Sequence, residues 1–318
     1  MRAEKAASFR DSAAPGRQVE FSRDGRWLAA ANAAGPVTLR RMPDLKVARR
    51  LDHLGGATAV AFSPDGATLA TAGYDGAVRL WDPISGRLLR ILSGARGTVW
   101  TLDYAPDGSR LAAAGEDGIV RLWNPADGRP ARTLTGHERN VWEVRFSPDG
   151  RRLASGSFDS TVRWWDAASG AALATLADHE EAVVGLAWSP DGRWLATGGD
   201  DSTIRLRRAG DGRTVRRLDV GNHAYKLVFS PDGRWLANGG RARGGIATLW
   251  HSVTGDGAQG EPVRLWRVAD GALVQVLAGP EDIMFLAFSP DGRWLATSGD
   301  DGSVTVWTLG TGPDPGLS

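Results

Sequence analysis

Apolar and polar residues alternate along this chain in short runs, without helical spacing. In Val141-Trp142-Glu143-Val144-Arg145-Phe146, the apolar Trp142, Val144 and Phe146 are separated by Glu143 and Arg145, which is the period of a strand with one buried face. The run leads into Ser147-Pro148-Asp149-Gly150. Proline at the second position and glycine at the fourth suit a type I turn, because the proline ring presets φ near about −65°. A second strand follows at Leu153-Ala154-Ser155, then a tight turn around Asp159 and a third strand at Val162-Arg163-Trp164-Trp165. The Asp166 to Gly170 turn and a fourth strand from Ala172 to Leu176 complete the unit. The pattern predicts an all-β fold.

The unit repeats. Phe-Ser-Pro-Asp-Gly or a near copy begins at Phe21, Phe62, Tyr104, Phe146, Trp188, Phe229 and Phe288, at intervals of 41, 42, 42, 42, 41 and 59 residues. Seven copies at this period match the ~40–45 residues of a four-stranded propeller blade. A blade cannot bury both faces alone, so the expectation is one domain, a seven-bladed β-propeller over residues 1–309 with a flexible tail at 310–318. The last unit ends without a fourth strand. Phe9 lies 12 residues before Phe21, as Leu134 lies 12 before Phe146, so the N-terminal strand is expected to complete blade 7 and leave no open edge. Blade 6 carries an insertion at about 239–261: Leu236 to Val263 spans 27 residues where Leu195 to Ile204 spans 9. Either Ile246–Trp250 or Val263–Trp266 could be its third strand. The Trp266 to Gly271 spacing equals that of Trp81 to Gly86 and favours the second, which sets the insertion beside the channel mouth. Loops this long are usually functional or disordered.

Leu80-Trp81-Asp82, Leu122-Trp123-Asn124, Trp164-Trp165-Asp166, Leu265-Trp266 and Gly136-His137 resemble the tryptophan–aspartate (WD) repeat family, bacterial-type, over residues 4–308. The resemblance implies a buried hydrogen-bond chain in each blade, running from a His before strand one through a Ser or Thr and an Asp to the Trp of strand three. His53, Thr71, Asp75, Trp81 and His137, Ser155, Asp159, Trp165 match completely. His179, Thr197 and Asp201 match but end in Arg207. Blades 3 and 7 keep Asp117 with Trp123 and Asp301 with Trp307, and blade 1 has Ala34 and Arg40 instead. The set recurs from blade to blade, as a structural device does and a single active site does not.

Composition acts by exclusion. Net charge is +1, from 38 basic and 37 acidic residues, which removes the electrostatic argument for general nucleic-acid or anionic-membrane binding. No cysteine is present, so no disulfide or thiolate metal site is expected. No signal-peptide-like or 18-residue apolar run is found; the expectation is a cytoplasmic protein, monomeric as a ring, without cofactor, metal or catalytic residues. Only Lys5, Lys46 and Lys226 are lysines, as codon usage in a GC-rich bacterial genome would give.

The resemblance also implies that partners dock on the face carrying the connections from strand four to one and from strand two to three. Four residues before each aromatic, that face receives Thr58, Trp100, Trp142, Val184, Tyr225 and Met284; just before the turn Asp it receives Tyr74, Glu116, Phe158, Asp200 and Asp300. Aromatic anchors beside charge have the composition of interaction hot spots, so Tyr74, Trp100, Glu116, Trp142, Phe158, Asp200, Tyr225, Met284 and Asp300 are the candidate partner-binding residues. The alternative for Trp100 and Trp142 is a core plug in the channel. Trp27, Trp194, Trp235 and Trp294 form an arc towards the opposite face and read as inter-blade packing. Arg205, Arg207, Arg208, Arg213, Arg216 and Arg217 read as a solvated strand edge. The expected function is a non-catalytic scaffold or recognition module for a protein partner. Alternatives are a sensor subunit of a larger signalling or defence assembly, and a propeller hydrolase such as a lactonase.

Overall fold

A computed structural model describes residues 2–241, 262–277 and 282–310. Seven four-stranded antiparallel sheets pack inner strand against inner strand in a closed ring, each touching the next and the strand from Gly16 to Phe21 touching that from Ile283 to Phe288. Blades 1 to 6 run in chain order from the innermost strand outwards. The strand from Arg2 to Arg10 is the outermost strand of blade 7, with Lys5 opposite Trp307 and Phe9 opposite Val304. Closure is therefore as the Phe9 spacing implies, and the pairing extends to Arg2. In blade 6, Leu236 pairs with Trp266, so Val263–Arg267 is strand three. The tail at 311–318 and most of the insertion, 242–261, lie outside the described residues.

The Ser-Pro-Asp-Gly turns close as their residues dictate. Gly150 N–H donates to the Ser147 carbonyl at 2.8 Å, and Gly150 sits at φ 70°, where a Cβ would be strained. The Ser147 hydroxyl donates to Asp149 Oδ1 at 2.6 Å and accepts the Arg152 N–H at 3.0 Å. The core lies between blades and is made of short apolar side chains: Leu153, Ala154, Val162 and Leu186 are fully enclosed.

The Trp arc serves this packing. Trp235 is buried, Trp27 packs beside Phe62 and Trp81, and Trp194 packs beside Phe229 and Trp266. Blade 5 departs from expectation. Arg205 and Arg207 are buried, not solvated, because Asp178 and Asp201 sit within ion-pair reach of them. Arg208, Arg213 and Arg217 are exposed.

Candidate functional site

One irregularity builds the channel mouth. In blade 4 the pairing of strands one and two jumps between Val141 and Glu143, leaving Trp142 without a partner. The same bulge skips Trp100, Thr58, Val184, Tyr225 and Met284 in their blades. A bulged residue leaves the pleat and re-aims its side chain, here into the axial channel, where these side chains and Phe285 meet. Trp100 stacks on Trp142 at 5.0 Å between centroids. Tyr225 meets Trp142 edge-on at 5.5 Å. Phe158 lies 5.4 Å from Trp142, and Tyr74 lies edge-on to Trp100 at 5.8 Å.

Burial divides this group. Trp142 is 7%, Tyr225 5% and Met284 3% exposed, while Tyr74, Trp100 and Phe158 are half-buried. The inner rings thus plug the channel and the outer three form a rim. The space left among them is about 10 Å³. Arg17, four residues before Phe21 and so in the same register of blade 1, also belongs to the site, though it was not among the residues read from the sequence; its Nε and Nη2 donate to Tyr74 Oη at 3.0 and 2.8 Å. The acids lie around this rim. Glu116 is exposed and accepts the Thr98 N–H at 2.7 Å, Asp200 is 3.0 Å from His223 Nδ1, and Asp300 is half-buried.

The three hydrogen-bond chains are intact. Trp165 Nε1–H donates to Ser155 Oγ at 2.8 Å, Ser155 Oγ lies 2.7 Å from His137 Nε2, and His137 Nδ1 lies 2.8 Å from Asp159 Oδ2. In blade 2, Trp81 donates to Thr71 at 2.9 Å, and His53 lies 2.9 Å from Thr71 and 3.3 Å from Asp75. In blade 5, Arg207 Nε donates to Thr197 Oγ1 at 3.0 Å in the place of the indole N–H, and Thr197 is 2.8 Å from His179, itself 2.9 Å from Asp201. The extra nitrogens of Arg207 bind Asp178 at 2.6 and 3.0 Å. Blade 1 repeats that exchange: Arg40 binds Asp11, at the same separation of 29 residues. Thr297 and Asn238 take the strand-two role for Trp307 and Trp266. Burial lowers the His137 and His179 pKa values. Burial works against the Asp159 carboxylate too, but hydrogen bonds from Thr161, His137 and the Glu138 N–H outweigh it and hold the pKa at about 2.

At the other end of the channel, a cavity of about 480 Å³ opens between the Ser-Pro-Asp-Gly turns. Glu20, Asp103 and Arg145 line it, with Glu143 and Lys226 two positions further in along their strands. Lys226 Nζ is 2.6 Å from Glu143, and Arg145 pairs with the same carboxylate. Sequence reasoning missed this cluster. Among the described residues, no group of three His, Cys, Asp or Glu is placed to hold a metal ion, and no helix is long and apolar enough to cross a membrane.

Residues 56–243 match the family model described as "IFT122 first beta-propeller", and residues 271–308 match "WD domain, G-beta repeat". The first match covers more than half of the chain. The chain belongs to the WD-repeat β-propeller family. It is also similar to an uncharacterized WD repeat-containing protein of Synechocystis sp., 38% identical over 81 residues, which is 25% of this chain and 23% of that protein. The chain thus matches under a quarter of the relative's length. WD-repeat propellers are generally protein-interaction scaffolds and typically non-catalytic, which agrees with the recurrence of the His–Ser/Thr–Asp sets as blade supports.

Proposed function

We propose that this WD-repeat propeller is a scaffold or recognition module, and that it docks a protein partner on the plugged channel mouth. The observation that carries the reading is the continuous aromatic patch, Tyr74, Trp100 and Phe158 at the surface, supported from beneath by Trp142, Tyr225 and Met284. Half-buried rings held by stacking lose little side-chain freedom when a partner covers them, which is the property of hot-spot anchors. The acids Glu116, Asp200 and Asp300 around them favour a segment that brings basic side chains. Trp142, Tyr225 and Met284 act by holding the rim rings in place. Work in the cytoplasm, and membership of a larger signalling or defence assembly, are compatible with this surface and differ only in the partner.

The test is affinity purification from the native cell. The partner set of the wild type is compared with that of the Tyr74→Ala/Phe158→Ala double variant and of Arg151→Glu on the opposite face. Partners lost from the double variant but kept by Arg151→Glu support the reading, provided both variants melt near the wild type. Partners kept by the double variant and lost from Arg151→Glu contradict it.

A further inference from the structure

The open end of the channel has its own chemistry. Ala59, Ala61, Ala187 and Ala287 occupy the axial positions of blades 2, 5 and 7, one or three residues before the aromatic. The ring therefore closes without charge there. Blades 1, 3, 4 and 6 instead bring Glu20, Asp103, Glu143, Arg145 and Lys226 to the same axis. Burying ions costs several kcal/mol each unless they are well paired, and here the pairing is uneven.

Three carboxylates face two cations, and both cations are committed to Glu143, which is 2% exposed. Asp103 has only a distant contact with Arg145, 3.9 Å from its Oδ1, and accepts the Phe146 N–H at 2.6 Å. Glu20 makes no ion pair among the described residues; it accepts the Phe62 N–H at 3.0 Å and a Gln18 amide N–H at 3.3 Å. Those two carboxylates line the cavity of about 480 Å³ together with Arg145, whose guanidinium is paired with Glu143, and beside the hydrophobic walls of Phe62, Trp188 and Phe229. Burial pushes Glu20 up to about 7 and Asp103 up to about 6, the behaviour of anions short of a counter-charge.

We propose that this funnel binds a slender aliphatic polyamine, one ammonium group pairing with Glu20 and Asp103 while the methylenes lie on the aromatic wall. The site is closed at its inner end by the plug, so entry is from the Ser-Pro-Asp-Gly face alone. Two cations oppose the ligand: Arg145 in the wall, its charge offset by Glu143, and Arg23, which stands exposed on the rim and acts weakly across solvent.

The experiment is calorimetric titration of the whole chain with spermidine at fixed ionic strength, with glutarate as the anionic control. Spermidine binds saturably and glutarate does not. Binding releases protons near pH 6.5, read from its heat in buffers of different ionisation enthalpy, because the cation drives Glu20 and Asp103 to ionise. Glu20→Gln and Asp103→Asn keep the oxygen that accepts the backbone N–H and remove the charge; each weakens binding about tenfold or more. Arg23→Ala tightens it. If either charge variant fails to fold, Ala187→Leu, which narrows the funnel and leaves every charge in place, weakens binding in its stead. Absence of saturation, or a wild-type affinity in both Glu20→Gln and Asp103→Asn, overturns the proposal, the latter by showing that spermidine sits on the outer surface.

Discussion

The two ends of the channel are built from the same seven strands and come out as opposites. At one end a bulge in each of six inner strands turns Thr58, Trp100, Trp142, Val184, Tyr225 and Met284 onto the axis, and the rings seal it. At the other, regular alternation places Glu20, Asp103 and Arg145 around a cavity of about 480 Å³. A bulge shifts which residue faces the axis, so two chemistries fit on one strand only a few residues apart. The apolar end holds together by packing. The charged end holds together by a few short polar contacts that depend on pH. Substitutions at the two ends should therefore fail in different ways.

Trp142→Ala should have the largest effect on stability. The side chain is nearly enclosed and touches Trp100, Phe158 and Tyr225, so its loss leaves a cavity and costs about 3–5 kcal/mol. Phe158→Ala removes a half-buried ring and should cost less, which chemical denaturation of the two variants measures. Equal costs would mean that plug and rim are not distinct layers.

Asp159→Ala should be intermediate, at roughly 1–3 kcal/mol, because it leaves His137 without its carboxylate partner and loosens the Ser155 and Trp165 contacts that follow. Asp127→Ala, on an exposed turn, is the comparison and should stay within about 0.5 kcal/mol. Coincident melting curves would show that the His137–Ser155–Asp159 hydrogen bonds do not support the mouth.

The smallest effect belongs to the charged end and is one of slope. Burial raises the folded Glu20 pKa to about 7 from 4.5, so the folded state holds more protons than the unfolded one between those values. Its contribution is then fully present below about pH 4.5 and is lost as pH rises through 7. Asp103, raised to about 6, acts in the same sense; of the two cations that face both groups, Arg145 stays charged, while burial lowers Lys226 to about 8, so that it begins to lose its proton only at the top of this window. The three buried histidines act oppositely, since burial lowers their pKa values and protonation below pH 6.5 destabilises. Glu20→Gln removes only the first contribution. The melting temperature of the wild type minus that of Glu20→Gln should fall between pH 4.5 and 7.5; a difference independent of pH would show that Glu20 does not titrate in the folded protein.

The ring, its closure through Phe9 and the third strand of blade 6 were legible because each rests on local spacing. So were the rings at the mouth, which share one register and belong to one residue class. The charged end was not, because Glu20, Asp103, Glu143, Arg145 and Lys226 each look like the solvent-facing member of an alternating strand. Only the closed ring brings them onto one axis. The Arg40–Asp11 and Arg207–Asp178 pairs were missed for another reason. An arginine where a tryptophan is expected reads as a lost contact until its Nε is seen donating to Thr197 and its remaining nitrogens to Asp178. The common 29-residue spacing was the available signal.

If the plugged mouth is the docking surface, truncating its rim in the Tyr74→Ala/Phe158→Ala variant removes the partners and leaves the ring folded. Its melting temperature and its recovery of native partners are measured on the same preparation, beside the wild type and Arg151→Glu. A melting temperature close to that of the wild type is expected, with a loss of partner affinity of about 30-fold or more, as when a real anchor is truncated. A folded double variant that recovers every partner at wild-type yield would contradict it and move the docking surface elsewhere on the ring.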